Sequence, residues 1–99
     1  MSNTEELAGK LDALGHPMRL RIIATLADRE MYLNEIANAV GISRALAKVH
    51  LKKLEKAGIV KSRIETAEAE AKALRYYKLQ PFDIRVSPQV LMEVKNNGQ

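Results

Sequence analysis

Length, composition and charge limit what this chain can be. Its 99 residues, 46% of them hydrophobic and with a net charge of +4, suffice for one small domain with a modest core. The absence of cysteine excludes disulfides, thiolate metal sites and thiol redox chemistry, and no apolar run approaches the roughly 18 residues of a membrane span. We therefore expect residues 1–99 to form a single cytoplasmic domain that has no membrane partner.

Two helices are predicted at the start of the chain. In the first, apolar residues recur at i, i+4 and i+7, and Gly15 ends the repeat. The second begins with Pro17, which favours the first helical position, and Leu20, Ile23 and Leu26 to Ala27 are expected to face the core. A short extended bridge is expected at MYL, residues 31–33.

The next two helices form a helix-turn-helix pattern. Asn34 is a candidate N-cap of the third helix, and Gly41 is a stop signal. Ser43 caps a fourth helix that runs to Ala57 and ends at Gly58. Because only GIS joins the two helices, the chain cannot reverse for antiparallel packing, and the helices must cross steeply.

The last part of the chain predicts a hairpin and a closing helix. Residues 59–65 and 74–79 are β-prone runs on either side of a tip at residues 66–73. The tip is acidic, has no glycine and has high helix propensity, so a helical turn remains an alternative there. The segment FDIRV, residues 82–86, alternates like a short strand, and Ser87 with Pro88 begins the final helix.

These elements predict a mainly α fold with a β-hairpin wing, a winged helix-turn-helix in the order α-α-α-α-β-β-α. A chain this small has a marginal core, and helices at residues 1–15 and 87–96 have no obvious place in it. They are the candidate dimerisation helices. Their expected contacts are the apolar residues Leu7, Leu11, Leu14, Val90, Leu91 and Val94.

The charge is concentrated around the fourth helix. Seven basic residues and the single acidic residue Glu55 lie between Arg44 and Arg63, so this segment carries +6 and the rest of the chain −2. If Ala47 faces the core, Ala45 and Val49 lie on the opposite side of the helix, among lysines. A lone lysine there would be read as a solubility residue, but small apolar side chains amid lysines suit thymine methyls and phosphates.

The sequence therefore predicts double-stranded DNA as the partner, with helix 44–57 in the major groove of a homodimer's target. The candidate DNA-binding residues are those of the basic segment and of the wing: Ser43, Arg44, Ala45, Lys48, Val49, Lys52, Lys53, Lys56, Lys61, Arg63 and Arg75. The alternative is a winged helix that binds protein without specific DNA binding, which the acidic tip and the apolar end helix would suit.

Enzymatic and metal-binding functions lack candidate residues. The histidines are His16, expected to cap a helix, and His50, expected to pack partly buried. There is no cysteine nucleophile and no local pattern of an activated serine. We expect no catalytic site, no metal and no cofactor, and the sequence identifies no small-molecule effector.

Three phrases resemble the ArsR family of winged helix-turn-helix repressors: ALGHPMRLRIIATL, LNEIANAVGISRALAKVHLKKLEKAGIV and RYYKL. The resemblance covers about Leu7 to Leu79. It implies a homodimer, held by the first and last helices, that binds a two-fold DNA site as a transcriptional repressor. Its implied DNA contacts are Arg44, Ala45, Lys48, Val49 and Lys52 in the recognition helix, with Arg63 and Arg75 in the wing.

The sequence departs from that family at its metal-sensing positions. Many members sense metals through cysteines in the first helix of the helix-turn-helix pair, or through His and carboxylates in the last helix. Here YLNEIANAV has no cysteine, and the last helix offers only Glu93. We therefore expect no metal sensing at either position. The tip is also longer than the family's short turn, which weighs against its entering the minor groove.

Overall fold

The computed structural model describes residues 3–67 and 72–97. Its elements follow in the order α1 (Asn3–Leu14), α2 (Pro17–Leu26), β1 (Met31–Tyr32), α3 (Leu33–Val40), α4 (Arg44–Lys56), β2 (Val60–Ala67), β3 (Lys72–Leu79) and α5 (Pro88–Asn97). The expected helical order with a hairpin wing is confirmed, and the short bridge at residues 31–32 adds a strand to the wing.

The sheet has the strand order β1-β3-β2 and is antiparallel throughout. In the hairpin, Val60 lies opposite Leu79 and Ala67 lies opposite Lys72, so both strands extend further toward the tip than the sequence suggested. Residues 68–71 of the predicted tip lie outside the described residues. Met31 lies opposite Tyr77, which ties the wing to the connection between α2 and α3.

The turn between α3 and α4 is built from local signals. Gly41 has a φ of 75°, the left-handed conformation that ends α3, and its N–H donates to Ala37 O at 2.9 Å. Two residues later the hydroxyl of Ser43 accepts from Leu46 N at 3.1 Å and caps α4. One helix therefore ends and the next begins within three residues, as the helix-turn-helix prediction requires.

The core lies where α2, α3 and α4 meet the hairpin. Its most deeply buried side chains are Ile22, Ile36, Leu51, Leu54, Ile59 and Val60. Each contributes about 1.5–3 kcal/mol relative to an exposed position. Ala47, Leu51 and Leu54 are all fully buried, which confirms the predicted inward face of α4. Tyr77, the second tyrosine of the RYY segment, also packs inward.

The predicted inward stripe of α2 is wrong at Ala27, which is exposed at the C-cap of the helix, and at Leu20. That side chain is 52% exposed, whereas Ile22 is fully buried and Arg19 is buried as well. The inward face follows Arg19, Ile22 and Leu26, at i, i+3 and i+7. A charged residue takes the core position because its guanidinium finds hydrogen-bond partners there.

Two further local predictions are wrong. Asn34 does not cap α3, since that helix begins at Leu33 with Tyr32 at the N-cap, and Glu35 Oε1 accepts from Tyr32 N at 3.1 Å. Residues 82–86 form no strand, although Val90 N donates to Ser87 Oγ at 3.1 Å and α5 begins at Pro88 as expected. Residues 82–86 pair with no strand of the sheet, and alternation alone did not produce a strand.

Candidate nucleic-acid interface

The outward face of α4 combines cations with small apolar side chains. Ala45 and Val49 are exposed, Val49 to 63% of its surface. Around them lie the exposed cations Arg44, Lys48, Lys52 and Lys56. Within residues 3–67 and 72–97, none of these four cations forms an ion pair. Their charge is therefore uncompensated by the protein and available to an anionic partner.

Ser43 and Lys53 have partners within the protein. The Ser43 hydroxyl oxygen is used to cap α4, which sets the start of the basic face. Lys53 Nζ lies 3.0 Å from Asp12 Oδ2 of α1, and this cation lowers the pKa of the Asp12 carboxyl below its usual value. Lys53 therefore points to α1 rather than to the outward face.

Arg75 lies beside α4 on the inner face of the hairpin. It donates to Ser62 Oγ at 3.0 Å, and the Ser62 hydroxyl donates to Glu55 Oε2 of α4 at 2.7 Å. Arg75, Arg44 and Lys48 also line one cavity of about 190 Å³ between α4 and the wing. The structure thus brings one wing arginine together with two cations of α4.

Arg63 lies on the opposite face of the hairpin. It pairs with Glu30 and Glu65, both of which raise its pKa above the usual value, and its guanidinium lies 4.8 Å from the ring centroid of Tyr76. Lys61 shares this outer face, directly opposite Lys78 on β3. The two wing arginines named from the sequence are therefore not brought together, and Arg63 already has anionic partners.

The candidate dimerisation residues fall into three groups. Leu7, Val90 and Val94 line a groove of about 440 Å³ between α1 and α5 of the same chain. Leu14 packs against the core of its own chain, to which the neighbouring buried residue Ala13 belongs. Leu11 and Leu91 remain exposed, at 37% and 44%, and are the ones a partner could still cover.

Sequence reasoning missed the role of Arg19 behind α4. Its side chain is buried and contacts His50 of α4, whose ring lies 4.7 Å from that of His16, centroid to centroid. His16 accepts from Met18 N at 3.0 Å and caps α2, and His50 is buried, so the structure confirms both expectations for the histidines. An arginine among apolar residues of a helix was the available signal.

Comparison with known proteins agrees with this geometry. A family profile described as a helix-turn-helix domain matches residues 14–63, half of the chain. The chain belongs to this helix-turn-helix family. The winged helix-turn-helix homodimer from Mycobacterium bovis, a possible ArsR-family transcriptional regulator, is similar in structure with a TM-score of 0.68 and 29% identity, over 77% of this chain and 65% of that one. The expected ArsR resemblance is confirmed.

Two relatives extend the comparison within the family. An uncharacterized HTH-type transcriptional regulator of Methanocaldococcus jannaschii is 29% identical over 87% of this chain and 88% of its own length. A biofilm growth-associated repressor of Xylella fastidiosa is 34% identical over 59% of this chain. The match spans about half the length of that repressor, 51%. These relatives are transcription regulators.

Two further features of the described residues concern metal ions and membranes. No group of three or more His, Asp or Glu side chains comes close enough to hold a metal ion among the described residues. None of the helices in residues 3–67 and 72–97 is long and apolar enough to cross a membrane.

Proposed function

We propose that this chain binds double-stranded DNA sequence-specifically as a homodimer and acts as a transcriptional repressor, as a single winged helix-turn-helix domain in the cytoplasm. The observation that carries the proposal is the outward face of α4. Exposed Ala45 and Val49 lie among four cations without ion pairs in the described part of the chain. A solvated helix face gains nothing from an exposed valine amid lysines, whereas a thymine methyl would cover it.

Each residue of this surface has a proposed role. Lys48, Lys52 and Lys56 would contact phosphates, and Arg44, in the first turn of α4, would reach a guanine edge or a phosphate. Arg75 would add a phosphate contact from the inner face of the wing. Ser43 would stabilise the start of α4 as its N-cap. Lys53 would act mainly through its ion pair with Asp12.

The outer face of the wing is expected to contribute less to DNA binding than its inner face. Arg63 would have to exchange Glu30 and Glu65 for phosphates, and that exchange offsets much of the gain. Lys61 forms no ion pair among the described residues, and its charge would add long-range attraction to DNA. We therefore rank Arg75 above Arg63 as a DNA contact.

Selection of bound sequences from a random duplex pool tests this function. We expect a two-fold symmetric site whose half-sites lie about one helical turn apart, about 34 Å between the recognition helices. With six to eight phosphates neutralised per dimer, log K should fall with log salt at a slope of about −5 to −7. Failure to enrich any sequence, with no mobility shift at low salt, would favour a protein-binding winged helix instead.

A further inference from the structure

Arg19 connects three helices behind the recognition face. Its Nε donates to Ala13 O at 2.5 Å and its Nη2 to Asp12 O at 3.2 Å, so it satisfies carbonyls at the C-terminus of α1. Its Nη1 lies 3.2 Å from Nδ1 of His50 in α4. Both side chains are buried. One guanidinium therefore holds the end of α1 against the middle of α4.

This contact requires a neutral imidazole. A guanidinium has only donors, so Nδ1 of His50 must be the acceptor and carry a free lone pair, with the ring proton on Nε2. A proton on Nδ1 would turn the hydrogen bond into a contact between two donors and two positive charges. The pair is therefore stable in only one protonation state of His50.

The charged groups around His50 add to this effect. On the α2 side lie His16, at 4.7 Å between ring centroids, and Arg19 itself. On the α1 side the carboxylate of Asp12 is held by Lys53, 3.0 Å away, and so offers little compensation. Burial first, then His16 and Arg19, lowers the pKa of His50 below its ordinary value.

The remaining elements that pack on α4 bring no compensating acid. From α3, Glu35 pairs with Arg29 at 2.8 Å, and Glu55 of α4 itself accepts from Ser62 of β2 at 2.7 Å. Both carboxylates have partners away from the His50 ring. A proton on His50 would therefore lie close to Arg19 and His16, and none of the carboxylates named here is free to compensate its charge.

We propose that Arg19 is a positioning residue that fixes α4 relative to α1, and that protonation of His50 breaks this contact and weakens DNA binding. The proposal rests on the proposed function, because α4 is taken as the DNA-reading helix. If α1 contributes to the dimer, the link also sets the angle at which each recognition helix leaves the dimer axis. Acidification would then change the fit of both helices to successive major grooves.

The sign of the pH effect separates this proposal from a simple phosphate contact. A histidine that touches phosphate binds DNA more tightly when protonated, because the charges attract. Here the bound form needs neutral His50 in both subunits. Because the pKa of His50 lies below its ordinary value, affinity should be constant at neutral pH and fall in more acidic solution. The slope can approach about two decades per pH unit for two coupled sites.

The test is fluorescence anisotropy on a selected duplex from about pH 8 down to the lowest pH at which circular dichroism shows folded protein, at constant ionic strength. For the unmodified protein we expect constant affinity near neutrality and, once the pH falls below the pKa of His50, a loss that approaches about a hundredfold per pH unit for two coupled sites. His50→Gln keeps an acceptor for Arg19 and removes the titration, so its affinity should match at pH 8 and stay flat. His16→Asn keeps the helix cap and should retain the acid dependence.

A second measurement does not depend on DNA. In the free protein, NMR titration of the His50 ring should move backbone amide signals of α4 and of the C-terminus of α1 together. Arg19→Gln should abolish the α1 response, and circular dichroism checks that each variant folds. If Arg19→Gln does not fold, Arg19→Lys serves the same purpose, since a lysine ammonium lacks the fixed fork of donors that joins the α1 carbonyls to His50.

The outcomes are distinguishable. No binding to any duplex at pH 8 would overturn the proposed function, and the NMR titration would still decide whether His50 protonation releases α1 from α4. Tighter or unchanged DNA binding on acidification would overturn the further inference alone. So would a His50 titration that leaves the α1 amides unmoved, or an acid dependence that persists in His50→Gln and vanishes in His16→Asn.

Discussion

Val49 is the residue whose exposure most needs explanation. Val49 is a β-branched apolar side chain with 63% of its surface exposed to water, which is unfavourable in free energy. It provides α4 with no packing contact in return, and it is surrounded by cations. Among residues of the outward face it and Ala45 are short enough to let the helix approach base edges closely. Their proposed role is to determine which bases fit, whereas the lysines determine how strongly any duplex binds.

Substitution of two outward residues should separate these roles. Val49→Ala should reduce discrimination between the selected site and a site altered at one base pair, by about 1–3 kcal/mol, with little loss on random duplex. Lys52→Ala should weaken binding to both sites alike and make the salt slope shallower by about two per dimer. Competition titrations at several salt concentrations measure both. Equal loss of discrimination in the two variants would contradict the assignment.

At the scale of elements, two glycines terminate the helix-turn-helix pair. Gly41 ends α3 at a φ of 75° and Gly58 follows α4 at a φ of 78°, after which Ile59 N donates to Leu54 O at 2.9 Å. Ile59 then turns into the core, and β2 begins at Val60. The directions of α4 and of the wing therefore depend on backbone conformations that favour glycine.

Gly41→Ala should lower the free energy of unfolding by about 1–2 kcal/mol, because alanine resists the left-handed conformation. Gly9→Ala in α1 is the matched control, since at both positions an added Cβ meets nothing within 4 Å. In the helix interior alanine should raise stability by up to about 1 kcal/mol. Urea unfolding at one fixed protein concentration measures both changes. Destabilisation of equal size in the two variants would show that backbone conformation is not the cause.

The elements were predictable because their signals are local. Ser43, Gly41 and Gly58 mark helix ends within a few residues, and the i, i+4, i+7 positions of α4 identify its buried face. Arg19 was not predictable in this way. Its partners are carbonyls of α1 and a histidine 31 positions further along the chain, so only the packed helices show why a cation is buried there.

The positions of the two wing arginines needed information that the sequence did not contain. Side chains alternate between the faces of a strand, so the register decides whether Arg63 and Arg75 share a face. The observed register places Arg63 opposite Tyr76 and Ile64 opposite Arg75, which puts the arginines on opposite faces. The tip sequence has no glycine to indicate the type of turn, so the register of the hairpin could not be derived from it.

At the scale of the whole molecule, the two chain ends pack together. The groove between α1 and α5 is lined by Leu7, Val90 and Val94, and Leu11 and Leu91 remain exposed beside it. Part of the apolar surface assigned to a dimer is thus already covered by the chain's own helices. We propose that the exposed remainder, together with this helix pair, forms the surface that a second copy covers.

Leu91→Lys should therefore convert the dimer to a monomer without unfolding it, because Leu91 is already 44% exposed in the single chain. Leu20→Lys is the control, since Leu20 is 52% exposed on α2, outside the helix pair. Sedimentation velocity at tens of micromolar protein should give a dimer for the control and a monomer for Leu91→Lys. Dimers in both variants would place the interface elsewhere on the chain.

The contact between α1 and α5 also has a consequence for synthesis of the chain. Leu7 is made first, yet two residues of its groove, Val90 and Val94, are made more than eighty residues later. At about 5–20 residues per second, Leu7 waits on the order of ten seconds for these neighbours. During that time the apolar side of α1 is exposed. A second nascent chain on the same message could contact this side before α5 of the same chain is made.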